Sequence, residues 1–426
     1  MKRGVRGAPL RLVSRALPET ETLPPPPRVD ALDVVRGLVM VVMALDHVRD
    51  YVSNVAFDPV NMTLTWPALF YTRWITHFCA PAFSFFAGTG AFLSLSRGKT
   101  PESLARFLAT RGLFLIALEF FVLRFVWMFN LWPVGFLATL WSLGIAMLVL
   151  ALLVRLRLGP WSIAAFGAAL VAGHNAFDFV DKLGLTGFAG AAWRVLHAGG
   201  GIPIGAPPPG FPLPGLFNLE IAYPAVPWPG VMALGYAFGA LLARPRADRR
   251  RLVFALGFAV TVAFVVLRLG NVYGDHRPWA PQGSTAMTLA AFLNCEKYPP
   301  SLCFLLMTMG PVLIAFAWLD RPPGTAGRAL AVYGRVPMFF YVAHLPLIHL
   351  LAVVLAALQA GGFHGPLVHW AAFQSPSFIV PPPPGYGLAL PGVYGLWIAV
   401  VTALYIPCVR YGAFKSKSRA AWTSYI

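Results

Sequence analysis

The stretch Leu32–His47, LDVVRGLVMVVMALDH, is an apolar run of helical length with charged or polar residues near both ends. Arg36 and His47 are 11 residues apart, and at about 100° per residue this spacing brings both side chains to one face of a helix. It also separates them by roughly 16 Å along the axis. Such groups are costly in hydrocarbon and typically face the interior of a helix bundle. The stretch therefore predicts a membrane-spanning helix with functional side chains at two depths.

The composition of the whole chain is that of a membrane protein. Of 426 residues, 58% are hydrophobic and 12% are charged, and the mean hydropathy is +0.68. A soluble domain carries about a quarter charged residues. The four cysteines have neither metal-ligand spacing nor the density of a disulfide framework. We therefore predict an integral membrane protein without a metal site.

Apolar runs long enough to span a hydrocarbon core of ~30 Å recur about ten times. They cover residues 31–53, 67–95, 107–127, 133–154, 160–178, 222–243, 252–271, 300–319, 330–357 and 389–408. We predict an all-α, polytopic bundle of about ten transmembrane helices that forms a single domain over residues 29–426. Residues 1–28, which are basic and contain a run of four prolines, are predicted to be a disordered cytoplasmic tail and not a cleaved targeting peptide.

The distribution of basic residues predicts the orientation of this bundle. With the N-terminus inside, 24 of the 33 lysines and arginines fall in internal segments and 4 in external segments, and the others lie within or at the ends of spans. This asymmetry is the positive-inside pattern. Both termini are therefore predicted to be cytoplasmic, and the net charge of +17 needs no nucleic-acid partner.

Polar residues within the predicted spans gather toward the outer face, and Arg36 is the exception. They include His47, Arg73, His77, Glu119 and Arg124, while His344 lies near the middle of its span. Long external loops rich in Gly, Pro and aromatic residues, at 178–221, 271–299 and 361–387, resemble lids over a cavity in the membrane. We therefore expect a polar pocket open to the outside, on which His47, Arg73 and His77 converge.

Four of the charged side chains also have a purely structural interpretation. Arg49 and Asp50 can pair or snorkel at the end of the first span. Arg124 can form an ion pair with Glu119, five residues earlier. Both interpretations stay open beside the functional ones.

The first span resembles the first-helix motif of integral-membrane acyltransferases, which has an Asp, then Arg-Gly, then a His 11 residues after the Arg. The wider chain is similar to bacterial relatives of heparan-α-glucosaminide N-acetyltransferase through RWITHFCAPAFSFFAGTGAFLS, YPAVPWPGVMALGYAFGAL, NVYGDHRPW, KYPPSLCFLLMTMGP and YGRVPMFFYVAHLPLIHLL. The similarity extends from about Arg28 to the C-terminus. The heparan enzyme uses a His in its first non-cytoplasmic loop, whereas this chain has none between Val48 and Thr76. His47 or His77 is left to take that role.

The resemblance implies a multi-pass enzyme of the inner membrane. It is expected to move an acyl group, in the first place acetyl, from cytoplasmic acyl-CoA to a hydroxyl or amine of a sugar or cell-envelope glycan at the outer face. Such a transfer needs a base, and a neutral imidazole is suited to that role near neutral pH. We assign His47 as the base or acyl carrier and His77 as the second candidate. Asp50, three residues after His47, is expected to orient it.

The remaining site assignments concern the two substrates. Arg36 and Arg73 are expected to bind acyl-CoA, whose phosphates should meet Arg36 or the basic internal segments. Four residues are expected to bind the acceptor, namely Asp46, Arg124, Glu119 and His344. Direct transfer, an acyl-His relay and a homo-oligomer all stay open.

The competing function is that of a transporter or flippase for a small polar or glycan substrate. Ten spans, an outward cavity and helices interrupted by Pro and Gly serve a carrier equally well, although the sequence shows no convincing inverted repeat. A membrane scaffold without catalysis is a third class, which the buried Arg and His disfavour. Consumption of acyl-CoA separates the enzyme from both alternatives.

Overall fold

The computed structural model describes residues 29–130, 135–205, 218–418 and 420–425, and the predicted tail over residues 1–28 lies outside this range. The described residues are mostly helical, and helices lie at all ten positions where the sequence predicts spans. The helices are α1 (Asp30–Val52), α2 (Pro67–Trp74), α3 (Cys79–Ser96), α4 (Pro101–Leu118), α5 (Arg124–Met128), α6 (Thr139–Arg155), α7 (Pro160–Gly173), α8 (Gly187–Trp193), α9 (Trp228–Leu241), α10 (Arg246–Gly270), α11 (Thr285–Leu293), α12 (Leu302–Leu319), α13 (Thr325–Arg335), α14 (Pro337–Ala360), α15 (Pro366–Phe373) and α16 (Leu390–Lys417). A 3-10 turn joins α2 to α3, and a π-helical turn over Glu119–Leu123 joins α4 to α5.

Six helical segments within the described ranges are long and apolar enough to cross a membrane. They are Pro67–Ser96, Pro160–Leu183, Arg246–Gly270, Leu302–Leu319, Pro337–Ala360 and Leu390–Lys417. Helices α6 and α9 are apolar but shorter. Large apolar side chains such as Phe258 and Ile398 are exposed on the outer helices, which suits contact with lipid. The chain is a helical membrane protein.

The all-α prediction misses a small three-stranded sheet. Strand β3 (Asn218–Ile221) is central, parallel to β1 (Gly135–Leu137) and antiparallel to β2 (Gly200–Pro203). Strands of three or four residues are too short to show an alternating apolar pattern, so periodicity does not predict them. The sheet joins the segment before α6 to the segment before α9.

The ninth predicted span, residues 330–357, is two helices. Helix α13 ends at Arg335 and α14 begins at Pro337, while Val336 between them has φ −130° and ψ 49°. Proline disfavours helical backbone in the residue before it and is favourable as the first residue of a new helix. The break turns α14 into a separate helix that packs against α1.

Helix α1 lies in the middle of the bundle, in contact with α3, α12, α13, α14 and α16. Its closest neighbour is α13. A Cβ added to Gly37 would overlap the carbonyl of Leu330, and one added to Gly334 would overlap the carbonyl of Asp33. Small residues that let two backbones touch are typical of helix packing in membranes. We call the end of the bundle where α1 begins the basic end, and the opposite end, where α1 finishes, the sheet end.

Candidate active site

A cavity of about 740 Å³ lies at the basic end, between α1, α3, α4, α6, α14 and α16. Its wall contains six cationic side chains, Arg36, Arg97, Lys99, Arg111, Arg335 and Lys415, and the carboxylate of Asp33. The buried Nε of Arg111 has no hydrogen-bond partner among the described residues. The described residues also contain no group of three or more His, Cys, Asp or Glu side chains placed to hold a metal ion. The wall therefore suits an anionic ligand.

Arg36 lies in the wall of this cavity. Its Nη2 donates a hydrogen bond to the carbonyl of Phe86 on α3. A Cβ at Gly90 would come within 3.1 Å of the same nitrogen, so the glycine leaves room for the guanidinium. The sequence predicts the main pocket at the outer face, whereas this cavity surrounds Arg36 at the opposite end.

One stripe of α1 leads from the cavity to His47. The lining residues on this stripe are Asp33, Arg36, Met40 and Met43. They follow one another at the three- and four-residue steps of a single helix face. His47 is the next member, four residues and about 6 Å of helix rise beyond Met43. Tyr341 lines the cavity, and its ring centroid lies 6.2 Å from that of His47, so His47 lies just beyond the cavity wall, next to Tyr341.

The ring of His47 is held by aromatic and imidazole neighbours. Its Nδ1 lies 2.7 Å from Nε2 of His344, and the two rings meet edge to edge in nearly parallel planes, with an interplanar angle of 20°. Trp127 packs edge-on against it at 5.0 Å between centroids. His344, which the sequence assigns to acceptor binding, is fully buried and contacts His47 directly.

Asp50 is predicted to orient His47, but among the described residues its side-chain hydrogen bond goes to Arg49 and none joins it to His47. Its carboxylate accepts a hydrogen bond of 2.6 Å from Nη2 of Arg49, which also donates to Asp46 at 2.9 Å. Arg49 and Asp50 are both buried, so they pair as the structural interpretation expects. The adjacent guanidinium takes the carboxylate, and His344 occupies the place beside His47.

Arg73 pairs with Asp46 at the sheet end. Its Nη1 lies 2.5 Å from Oδ2 of Asp46, which ties α2 to α1. Arg73 is assigned to acyl-CoA and Asp46 to the acceptor in the sequence prediction. The structure instead gives each of them a partner within the protein, at the end of the bundle away from the cavity.

Lys297 and Tyr298, which no site prediction included, extend this charged cluster from the segment before α12. Lys297 is buried, and its Nζ lies 5.1 Å from the centroid of the Tyr298 ring. The Tyr298 side chain is partly exposed. Loss of solvent around its hydroxyl raises the pKa, but the cations of Lys297 and Arg73 outweigh this effect and leave the pKa below its ordinary value. The KYPPSLCFLLMTMGP segment is the sequence signal that could have pointed to both residues.

His77 and His47 face different helices. The buried ring of His77 packs edge-on against Phe304 of α12 at 5.5 Å, whereas His47 contacts α5 and α14. The Nδ1 of His77 has no hydrogen-bond partner among the described residues. The two histidines share no ring or hydrogen-bond contact in the part of the chain that the structure describes.

Glu119 caps a helix and does not pair with Arg124. Its Oε2 accepts hydrogen bonds from the backbone N–H groups of Leu140, at 2.7 Å, and Trp141, at 3.2 Å. N–H groups in the first turn of a helix have no partner within the helix, and a negative charge there stabilises the helix. Arg124 donates instead to the carbonyl of Asn130 at 2.6 Å. Both residues that the sequence assigns to acceptor binding therefore make contacts within the bundle.

The sequence of the chain matches a known protein family. A family model described as heparan-alpha-glucosaminide N-acetyltransferase, catalytic, matches residues 28–272, which is more than half of the chain. The chain belongs to this family. The matched range contains α1 to α10, and thus Arg36 and His47, whereas His344 and Lys297 lie beyond it. Among curated proteins there is no match. Membership in the N-acetyltransferase family confirms the resemblance and identifies an acetyltransferase-type membrane enzyme.

Proposed function

We propose that this protein transfers an acyl group, in the first place acetyl, from acyl-CoA in the basic cavity to a hydroxyl or amine of a sugar or cell-envelope glycan. The observation that carries the proposal is the stripe of α1 that runs from the six cations of the cavity wall through Met40 and Met43 and has His47 as its next member, one turn beyond the wall. The cavity volume of about 740 Å³ falls within the range of about 300–1,000 Å³ that is usual for small-molecule sites.

Acyl-CoA has the chemistry that this cavity requires. Its phosphates match the guanidinium and ammonium groups, among which the Arg111 Nε offers an unused donor. The apolar part of the wall, which includes Met40, Met43 and Leu143, suits the pantetheine arm. The thioester is then the part of the molecule that comes nearest to His47.

His47 is the base in this proposal. It takes the proton of the acceptor hydroxyl or amine as that oxygen or nitrogen forms its bond to the acyl carbon. The C–S bond of the thioester breaks, and the proton passes from His47 to the leaving thiolate. In a relay, His47 itself first carries the acyl group. Radiolabel that stays on wild-type protein when no acceptor is present would indicate the relay.

Release of CoA by purified protein tests the proposed function. With radiolabelled acetyl-CoA in detergent, we expect release of CoA and transfer of label to a glycan acceptor. Variant His369→Ala, which alters an exposed histidine of α15, should behave as wild type, and His47→Ala should be inactive. A transporter or flippase consumes no acyl-CoA, so binding without turnover for any offered acceptor would favour that alternative.

We also propose that the protein spans the inner membrane about ten times with the basic end facing the cytoplasm, where acyl-CoA is made. Arg246 and Lys182 are both exposed and lie on opposite sides in this topology. Arg246→Cys should react with a membrane-impermeant thiol reagent only after permeabilisation, and Lys182→Cys should react on intact cells. Labelling of Arg246→Cys from outside would overturn the orientation.

A further inference from the structure

We propose that His344 is a positioning residue, which fixes the tautomer of His47 so that Nε2 is the basic nitrogen. The inference rests on the proposed function, because it concerns the same base. It replaces acceptor binding as the role of His344. Its starting point is a chain of two hydrogen bonds that runs from His47 through His344 to a backbone carbonyl.

The carbonyl end of this chain sets the direction of both bonds. Nδ1 of His344 lies 2.9 Å from the carbonyl oxygen of Phe340. A carbonyl can only accept, so this nitrogen carries a proton. In a neutral imidazole the other nitrogen, Nε2, then has the lone pair. That lone pair faces Nδ1 of His47 at 2.7 Å.

The surroundings of His344 favour its neutral form. Its exposed fraction is 0%, and the centroid of its ring lies 5.1 Å from that of Phe340 and 4.9 Å from that of His47. No carboxylate contacts it among the described residues. A charge in such a place would be buried without compensation, which is costly. His344 therefore accepts, and Nδ1 of His47 donates.

This arrangement leaves Nε2 of neutral His47 with the free lone pair. When Nε2 takes the acceptor proton, the Nδ1–H bond to His344 is retained and strengthens as the ring becomes cationic. Trp127 and Tyr341 lie edge-on to the His47 ring, and together with His344 they restrict its rotation. A second imidazole thus does for His47 what a carboxylate does in the better-known triads.

Two substitutions of His344 separate positioning from packing. His344→Leu fills much of the space but offers no acceptor, whereas the amide oxygen of His344→Gln can still accept from Nδ1 of His47. We expect kcat of His344→Leu to fall roughly ten- to a hundredfold with an unchanged KM for acyl-CoA. His344→Gln should recover most of that loss. Gel filtration should show similar fractions of folded protein for the two variants, so that the difference in kcat does not come from folding.

A double-mutant cycle supplies the decisive comparison. If His344 acts through His47, adding His344→Leu to His47→Ala should cause no further loss of the residual rate. The positioning role would be overturned if His344→Leu lowered the rate equally in the presence and absence of His47. It would also be overturned if kcat of His344→Leu equalled that of wild type. Full activity of His47→Ala alone would instead overturn the proposed base, so the two failures are distinguishable.

Discussion

Replacement of His47 by alanine should lower kcat for acyl transfer by about a hundred- to ten-thousandfold, which is the usual contribution of a general base. The binding of acyl-CoA should remain, because His47 lies beyond the residues that form the cavity wall. The imidazole is required for proton transfer and not for affinity, so the loss falls on kcat and leaves KM for the donor unchanged.

Two measurements on the same detergent preparation test this result. Acyl-CoA affinity and radiolabelled acyl transfer are compared for wild type, His47→Ala and the control His369→Ala. His77→Ala is included because His77 is the second candidate and contacts α12 instead of α14. A fully active His47→Ala together with an inactive His77→Ala would move the base to His77.

Replacement of Arg36 by alanine should weaken acyl-CoA binding by roughly ten- to a hundredfold. The charge-assisted contact to a phosphate is worth about 1.5–3 kcal/mol. Arg36→Lys should recover only part of the affinity, since a lysine keeps the charge but loses the planar fork that also reaches the Phe86 carbonyl. At saturating acyl-CoA, kcat of both variants should stay close to that of wild type.

A matched control for Arg36 is available on α4. Arg106 is exposed and is not among the residues that line the cavity, so Arg106→Ala removes the same charge without touching the wall. Its acyl-CoA affinity should equal that of wild type. An equal loss of affinity in the Arg106 and Arg36 variants would mean that net charge, and not the cavity, attracts the donor.

Local periodicity predicted the parts of the site that lie on one helix. Arg36 and His47 are joined by a spacing of 11 residues, and helix geometry alone determines that both belong to one stripe. The helical positions were also predictable, because a run of apolar residues in a membrane satisfies its own backbone and needs no information from the rest of the chain.

Contacts between distant segments were not predictable in this way. His344 is 297 residues from His47 in sequence, and no periodic signal relates the two. The sequence left open an ion pair between Glu119 and Arg124, which does not form because the N–H groups at the start of α6 bind the carboxylate. Asp50 was a reasonable partner for His47 by spacing, but the Arg49 guanidinium lies closer to it.

The placement of Arg36 and His47 on one helix determines how far the acyl donor must reach in the proposed enzyme. The backbones of α1 and α13 touch at Gly37 and Gly334, which holds α1 in place against its neighbour. Because both residues belong to α1, the helix itself sets their separation, roughly 16 Å along the axis. In the proposed enzyme the donor has to match this length, with its phosphates at Arg36 and its thioester at His47. The proposed enzyme is therefore expected to select donors by the length of the arm between phosphate and thioester, whatever acyl group that arm carries.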